Sequence, residues 1–240
     1  MNTQLSLDTC NNLCAVALSH LDQGAFRLIA SDTQDIGRGH AEVLVDQIQQ
    51  ILSDTDISPT ELSRIAVTTG PGSFTGQRVG LALARTLSAT LNIEAVGVGV
   101  LDALIFEAQV QMPGLATYCA ISDAKRDGVY IKAIENDGSI ALEANLIAVS
   151  DIAKQLAHLK TPFAMTGSGT AFVDKKMFVT TCRQIDVLFP SIHSIAQIGH
   201  GLNAADNPAA PLYLRDADAK PQSPKHVLRM PVSNPSGAAN

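Results

Sequence analysis

The chain has 240 residues, of which 46% are hydrophobic and 17% charged, and this balance predicts a globular protein built as one large domain or two lobes. A formal net charge of -6 and the absence of Trp argue against a nucleic-acid surface, because such surfaces cluster Lys and Arg and stack bases on aromatic rings. The chain opens without a signal-like segment, its longest apolar run is too short to span a bilayer, and its four scattered cysteines favour a reducing compartment, so we expect a cytoplasmic protein without membrane contact.

Apolar runs separated by turn-forming residues predict an antiparallel meander followed by alternating helices and strands in the first half of the chain. The predicted strands are 5–8, 14–20, 25–31, 64–69 and 92–99. The predicted helices are 40–52, 74–91 and about 101–109.

The second half of the chain repeats this order of elements. Its predicted strands are 118–122, 129–135, a third from residue 140, and 162–166, with a helix at 150–159. Asp8 then corresponds to Asp123, and the glycines at 70 and 72 correspond to those at 167 and 169, which indicates an internal duplication. We therefore expect one lobe at 1–110, a second lobe at 111–220 and a disordered, proline-rich tail at 221–240.

Residues 68–80, TTGPGSFTGQRVG, are glycine-rich and lie between a predicted strand and a predicted helix. A phosphate-binding Walker loop does not fit. Five positions after Gly70 and Gly72, where the second glycine of such a loop must stand, the chain has Thr75 and Gln77, and no lysine is near. A dinucleotide-binding loop fits only partly, since Thr75 stands where that loop has its third glycine or an alanine, and the strands that open the chain are antiparallel. We interpret Gly70, Pro71 and Gly72 as a structural turn.

Small residues recur every fourth position in the helix after this turn, at Gly76, Gly80, Ala84 and Ser88. They form one face almost without side-chain bulk, which allows another backbone to approach closely. Each interior glycine costs about 1 kcal/mol relative to Ala, so tight packing must compensate. Packing inside the chain and packing against a partner both remain open at this point.

Catalytic and metal-binding patterns are weak. His193 and His200 are about 10.5 Å apart along a helix, too far to share one metal ion, and no serine or cysteine has a nucleophile signature. Asp8 and Asp123, at the ends of corresponding strands, are the best candidates for binding an ion or a phosphate. Both lie beside turns, where Asp commonly bonds to local backbone.

Three segments carry a resemblance to a known family. LSLDT at 5–9, GPGSFTGQRVG at 70–80 and PLYLR at 211–215 resemble the TsaB family, formerly called YeaZ, over about residues 3–216. These bacterial proteins are needed for threonylcarbamoyladenosine at tRNA position 37. The resemblance implies an α/β fold of the duplicated actin-like ATPase (ribonuclease H-like) type, in which each lobe has a mixed sheet opened by an antiparallel meander. Cys10 and Gln77 depart from the family's usual Ser and Leu.

The resemblance also implies a protein with no catalytic activity of its own. The related catalytic subunit, TsaD, has a His-x-x-x-His metal pair where this chain has Val100 and Leu104, and neither residue can ligate a metal. Nucleotide-binding relatives have a glycine in the hairpin after the first Asp, whereas residues 9–12 contain none. We expect no catalytic residues, no intrinsic cofactor and no metal, with ATP entering only in the assembled complex.

The partners that the resemblance implies are a TsaD-type catalytic subunit, a TsaE-type ATPase and, for the isolated protein, a second copy of the chain; tRNA is contacted only indirectly. TsaD pairs with this family through the helices on either side of the glycine-turn strand. The residues expected at that interface are His40, Leu44, Ile48, Gly76, Gly80 and Ala84. The alternatives are an independent kinase or ATPase, in which Asp8 and Asp123 hold magnesium, and a metallopeptidase, which the missing His pair opposes.

Overall fold

The computed structural model describes residues 2–174 and 182–215, so the tail expected at 221–240 lies outside the described residues. The described strands form two five-stranded sheets. The first contains β1 (Asn2–Asp8), β2 (Leu13–Asp22), β3 (Ala25–Asp35), β4 (Arg64–Gly70) and β5 (Glu94–Gly99). The second contains β6 (Thr117–Lys125), β7 (Gly128–Glu135), β8 (Ile140–Ala148), β9 (Phe163–Thr166) and β10 (Cys182–Gln184).

Five α-helices accompany the sheets in the described part of the chain. They are α1 (His40–Asp54), α2 (Phe74–Leu91), α3 (Val100–Gln111), α4 (Ile152–Leu156) and α5 (Ile192–Gly201). Short 3₁₀ helices lie at Pro59–Glu61, Val149–Asp151 and Ser168–Phe172. Among the residues that the structure describes, no helix has both the length and the apolar character needed to cross a membrane.

The two sheets have the same strand order, which confirms the expected α/β fold with two mixed sheets. The first runs β3-β2-β1-β4-β5 and the second runs, in corresponding order, β8-β7-β6-β9-β10. In each sheet the first strand pairs antiparallel with the second and parallel with the fourth. Equal order and equal direction are what a duplicated unit produces.

The helix predicted at 150–159 is shorter in the structure. Val149–Asp151 is a 3₁₀ turn, and the α-helix that follows ends at Leu156. At Leu159 the hydrogen bond spans three residues and no longer four, since Leu159 N donates to Leu156 O at 3.2 Å. Pro162 then cannot continue a helix. The strand β10 is also absent from the sequence prediction, since three residues carry too little alternation to identify.

The helices form layers on the sheets. Helices α1 and α2 cover the outer face of the first sheet through a cluster that includes Leu5, Leu44 and Leu81. Helix α3 lies between the two sheets and is apolar on several sides, as expected of a helix that is buried all round. Helix α4 covers the outer face of the second sheet.

Helix α5 packs against the first sheet, although its residues lie within 111–220, the range expected for the second lobe. Gln4 Nε2 donates to Ala196 O at 2.8 Å, and Ser19 Oγ shares a hydrogen bond of 2.9 Å with His200 Nε2. Its apolar face completes a cluster with β2, β4, β5 and α3. The chain therefore returns to the first sheet after finishing the second.

The segment 203–215, which we call the C-terminal segment, continues along the first sheet. Gly97 N donates to Asn207 O at 2.9 Å, and Leu212 N donates to Thr69 O at 2.8 Å. At its end, Arg215 reaches the second sheet, where Nη2 donates to Lys125 O at 3.3 Å. The C-terminal segment thus connects both sheets beside the glycine turn.

The buried His200 predicts a pH dependence of folding. Its side chain is 8% exposed, and its Nδ1 atom has no hydrogen-bond partner among the described residues. Desolvation by burial lowers the pKa of His200, and the charges of Arg64 and His20 lower it further. A histidine with a lowered pKa is protonated more readily in the unfolded chain, so its contribution to stability is lost as the pH falls below the ordinary value near 6.5.

We expect the free energy of unfolding, measured by urea titration from pH 7.5 to 5, to decrease less steeply for His200→Gln than for the wild-type chain. Gln keeps a hydrogen-bonding group near Ser19 but does not titrate. His158→Gln, at an exposed position, serves as the control and should follow the wild-type slope. Equal slopes for all three proteins would show that His200 does not contribute.

Candidate functional site

The Asp8 carboxylate is bound by three donors of its own chain. It is 1% exposed and accepts hydrogen bonds from Cys10 N at 2.9 Å, Thr68 Oγ1 at 2.7 Å and Asn11 Nδ2 at 2.9 Å. Burial raises the pKa of Asp8, while these three hydrogen bonds and the nearby His40 act in the opposite direction. The carboxylate therefore holds the hairpin between β1 and β2 in place.

That hairpin packs directly on the beginning of α2. Thr9 Oγ1 donates to Gly76 O at 2.7 Å, and Ser73 N donates to Cys10 O at 2.7 Å. A Cβ atom on Gly72 would collide with Cys10 O, and one on Gly76 would collide with Thr9 O. Backbone from the same chain thus fills the space between the hairpin and the start of the helix.

The glycines and the proline at 70–72 form the turn between β4 and α2. Gly70 has a φ of +103°, a left-handed conformation that side chains with a Cβ rarely adopt. A Cβ atom at Gly70 would also collide with the Gln77 side chain. The turn is therefore packed against its own helix.

Asp123 in the second sheet also has local partners. Its carboxylate accepts a hydrogen bond from Lys125 N at 2.8 Å and forms an ion pair with Lys125 Nζ. Burial favours a raised pKa for Asp123, but the hydrogen bonds and charge of Lys125 outweigh this, and its pKa is lowered. The main-chain N–H of Asp123 donates to Ser168 Oγ at 3.0 Å, which joins β6 to the turn after β9.

The position expected for a metal pair is apolar and buried. Val100 and Leu104 both lie in the core between α3 and the second sheet. Across residues 2–174 and 182–215, no group of three His, Cys, Asp or Glu side chains is arranged to hold a metal ion.

The small residues of α2 face the interior of the chain. A Cβ atom on Gly80 would lie 2.5 Å from Thr9 Oγ1 and 3.5 Å from Val67 Cγ2, and Ala84 is completely buried in the core. In the isolated chain Gly76, Gly80 and Ala84 are therefore buried inside the molecule, where they let α2 approach the hairpin and β4, and the predicted partner contact of these residues stays a prediction. The spacing predicted a close approach but could not show which surface approaches.

The three α1 residues expected at the interface are buried as well. Leu44 and Ile48 belong to the core beneath α1. His40 Nε2 donates to Asn11 O at 2.9 Å, which ties the start of α1 to the β1–β2 hairpin. These three side chains hold α1 in place on the first sheet and so support the exposed surface of that helix.

The exposed neighbours of these residues form an apolar groove between α1 and α2, which we call the α1/α2 groove. It has a volume of about 590 Å³. The groove is lined by Ala41, Leu44, Val45, Phe74, Thr75, Arg78, Val79, Ala82, Leu83 and Thr86. Val45 is 43% exposed and Phe74 is 53% exposed, and contiguous exposed apolar side chains of this kind are typical of binding surfaces.

One end of the groove carries a cluster of Phe74, Arg78 and Tyr213. The guanidinium carbon of Arg78 lies 3.8 Å from the centroid of the Phe74 ring, and Arg78 Nε donates to Tyr213 Oη at 3.3 Å. The two rings are 5.6 Å apart between centroids. Phe74 and Arg78 are four residues apart in one helix, a spacing that sequence analysis could have used, but nothing in the sequence places Tyr213 beside them.

The two helices that form the groove carry opposite charges. Helix α1 contains Glu42, Asp46 and Asp54 and no Lys or Arg, and all three carboxylates are exposed. Helix α2 contains the exposed Arg78 and Arg85 and no Asp or Glu. The groove therefore separates an acidic helix surface from a basic one.

Comparisons with known proteins identify relatives along most of the chain. Residues 33–197 match the family model described as "TsaD: tRNA N6-adenosine threonylcarbamoyltransferase". The chain is 28% identical over 230 residues to the tRNA threonylcarbamoyladenosine biosynthesis protein TsaB of Bacillus subtilis, covering 91% of this chain and 96% of that protein. It is 30% identical over 187 residues to an uncharacterized protein of Mycobacterium tuberculosis, covering 77% and 79% of the two chains.

A solved structure shares the fold. The crystal structure of a Pseudomonas aeruginosa protein, described as similar to peptidase YEAZ, aligns with a TM-score of 0.72 and 24% sequence identity. The alignment covers 90% of this chain and all of that one. This likeness agrees with the two-sheet architecture described above.

The close contact between α2 and the hairpin predicts that Gly76→Ala destabilises the protein by about 2 kcal/mol or more, because the added methyl group meets the Thr9 carbonyl. Gly201→Ala is the matched control, since it adds the same methyl group to α5 where no atom lies within 4 Å. That variant should be neutral or stabilise by up to about 1 kcal/mol. Urea unfolding of both variants gives the comparison, and similar midpoints would contradict the inward packing of α2.

Proposed function

The chain belongs to the TsaB (YeaZ) family, among the proteins that the TsaD family model covers, and from this membership we propose that it acts in threonylcarbamoyladenosine biosynthesis in tRNA. In this proposal it is a noncatalytic subunit that binds and supports a TsaD-type catalytic subunit. The observation that carries the proposal is the exposed apolar α1/α2 groove.

The packing of the β1–β2 hairpin and the hydrogen bonds of Asp8 support a role without chemistry. The β1–β2 hairpin lies on α2 with Thr9 and Gly76 in hydrogen-bond contact, so a phosphate could enter only if the hairpin moved. Asp8 has three donors from its own chain, which leaves it poorly suited to magnesium. An independent kinase or ATPase would need space for a phosphate between the hairpin and α2, and an Asp8 carboxylate that is available to magnesium.

The groove supports a role in binding another protein. Its exposed members include Val45 and Phe74, and its floor is made of buried side chains such as Leu44. Aromatic and Arg side chains, which are enriched at interfaces, lie at its end. A pair of helices from a TsaD-type subunit could cover such a groove and form a bundle with α1 and α2.

Other partners follow from the same surface. A second copy of the chain would use the same groove, so homodimer and heterodimer would exclude each other. A TsaE-type ATPase would join the assembled pair, and ATP would act in that assembly rather than on the isolated chain. The chain would contact tRNA only indirectly, in agreement with its net charge of -6.

The test is reconstitution with the purified cognate TsaD-type subunit. Light scattering of the mixture should show a complex, and the rate of threonylcarbamoyl transfer to tRNA should depend on this chain being present. Calorimetry with Mg-ATP on the isolated chain provides the contrast. Tight ATP binding with turnover and no association with the TsaD-type subunit would overturn the proposal in favour of an independent enzyme.

Val45→Glu tests the groove itself. We expect this variant to weaken binding to the TsaD-type subunit by at least about tenfold, because a charged side chain would be buried at the interface. Val110→Glu is the matched control: it is also an exposed valine on a helix, 65% exposed, but outside the groove. Calorimetric titration should show wild-type affinity for that control, and equal affinities for both variants would place the interface elsewhere.

A further inference from the structure

The guanidinium of Arg78 is held in one orientation at the end of the α1/α2 groove. Its face lies on Phe74 and its Nε atom donates to Tyr213. Its two terminal nitrogens, Nη1 and Nη2, have no hydrogen-bond acceptor among the described residues. An arginine that is fixed on one side and unpaired at its end loses little conformational entropy when a planar anion binds there.

A carboxylate is the anion that this geometry favours. The two terminal nitrogens of a guanidinium can donate in parallel to the two oxygens of Asp or Glu. The surroundings are apolar, since Val79, Ala82 and Leu83 lie beside Arg78 in the groove, and exclusion of water strengthens such a pair. A polyanion such as tRNA would need several neighbouring cations, whereas α2 offers only Arg78 and Arg85 and faces the acidic α1.

We propose that Arg78, positioned by Phe74 and Tyr213, receives an Asp or Glu side chain from the TsaD-type partner and so determines how that partner is oriented on the groove. The inference rests on the proposed function, because it names the chemistry of the partner at the same surface. A partner helix over α2 carries the carboxylate, and the helix over α1 carries no acidic residue opposite Glu42 and Asp46. With the partner helices exchanged, the carboxylate would face Glu42 and Asp46, and Arg78 would lose its acceptor.

The first experiment compares variants of this chain in calorimetric titrations with the purified cognate TsaD-type subunit. Arg78→Gln should weaken binding by about 10- to 100-fold, as expected for an arginine that anchors an interface. Arg78→Lys should recover less than half of that loss on a logarithmic scale, because an ammonium group cannot form the bidentate pair. Arg85→Gln is the matched control on the same helix, since Arg85 has no aromatic partner in the described part of the chain, and it should change the affinity less than about threefold.

A separate measurement tests whether Phe74 positions Arg78. Phe74→Leu keeps an apolar side chain in the groove but removes the ring under Arg78, so it should weaken binding. In the Phe74→Leu background, the further change Arg78→Gln should cost less affinity than it does in the wild-type chain. A purely apolar role for Phe74 would leave the cost of Arg78→Gln unchanged. The thermal midpoint of each isolated variant shows that the chain is folded.

The second experiment identifies the carboxylate. Each Asp and Glu on the docking helices of the TsaD-type subunit is changed to Asn or Gln, and each change is combined with Arg78→Gln in a double-mutant cycle. One partner residue should lose its effect when Arg78 is absent. Additive losses for every pair would overturn the inference.

The outcomes separate this inference from the proposed function. If the wild-type chain does not bind the TsaD-type subunit, the proposed function fails. If the wild-type chain binds and Arg78→Gln binds equally well, only the present inference fails. It also fails if Arg78→Gln leaves pairing intact but weakens binding of tRNA or Mg-ATP to the assembled complex, or affects only self-association of the isolated chain, since Arg78 would then serve a phosphate or a second copy.

Discussion

The close approach between the β1–β2 hairpin and the first turns of α2 is the constraint on which the rest of the structure depends. Thr9 and Cys10 touch the helix through their main-chain carbonyls, and only glycine at positions 72 and 76 leaves room for that contact. The second sheet has a similar close approach, because a Cβ atom on Gly167 would collide with Ile121 O and one on Gly169 with the Ile121 side chain. In both sheets, therefore, the glycine turn that follows the fourth strand packs closely on the first strand or on the residues just after it.

Because of this contact, the two sides of α2 have different surroundings. Its small residues pack on Thr9 and Val67, so its opposite side faces outward, and that side carries Phe74, Arg78 and Ala82. The inward orientation of the glycine face and the exposure of the apolar groove thus have one physical origin, the packing of α2 on the hairpin and β4.

Much of the fold was predictable because it depends on local patterns. The bounds of α2 were predicted at 74–91 as the structure has them, and the duplicated order of elements predicted two similar sheets. The orientation of the Gly76 face was not predictable, since a row of small residues indicates close contact but not with what. The return of α5 to the first sheet and the position of Tyr213 were also beyond the sequence, because they depend on contacts across more than a hundred residues, such as Ser19 with His200 and Arg78 with Tyr213.

The C-terminal segment explains how the second sheet influences a groove that it does not line. Leu212 is bonded to Thr69 at the end of β4, and Arg215 is bonded to the main chain of Lys125 in the β6–β7 hairpin. Tyr213 lies between these two anchors in the chain and accepts a hydrogen bond from Arg78 Nε at 3.3 Å. The second sheet therefore helps to position Tyr213 beside Arg78 through Arg215, although it does not line the groove.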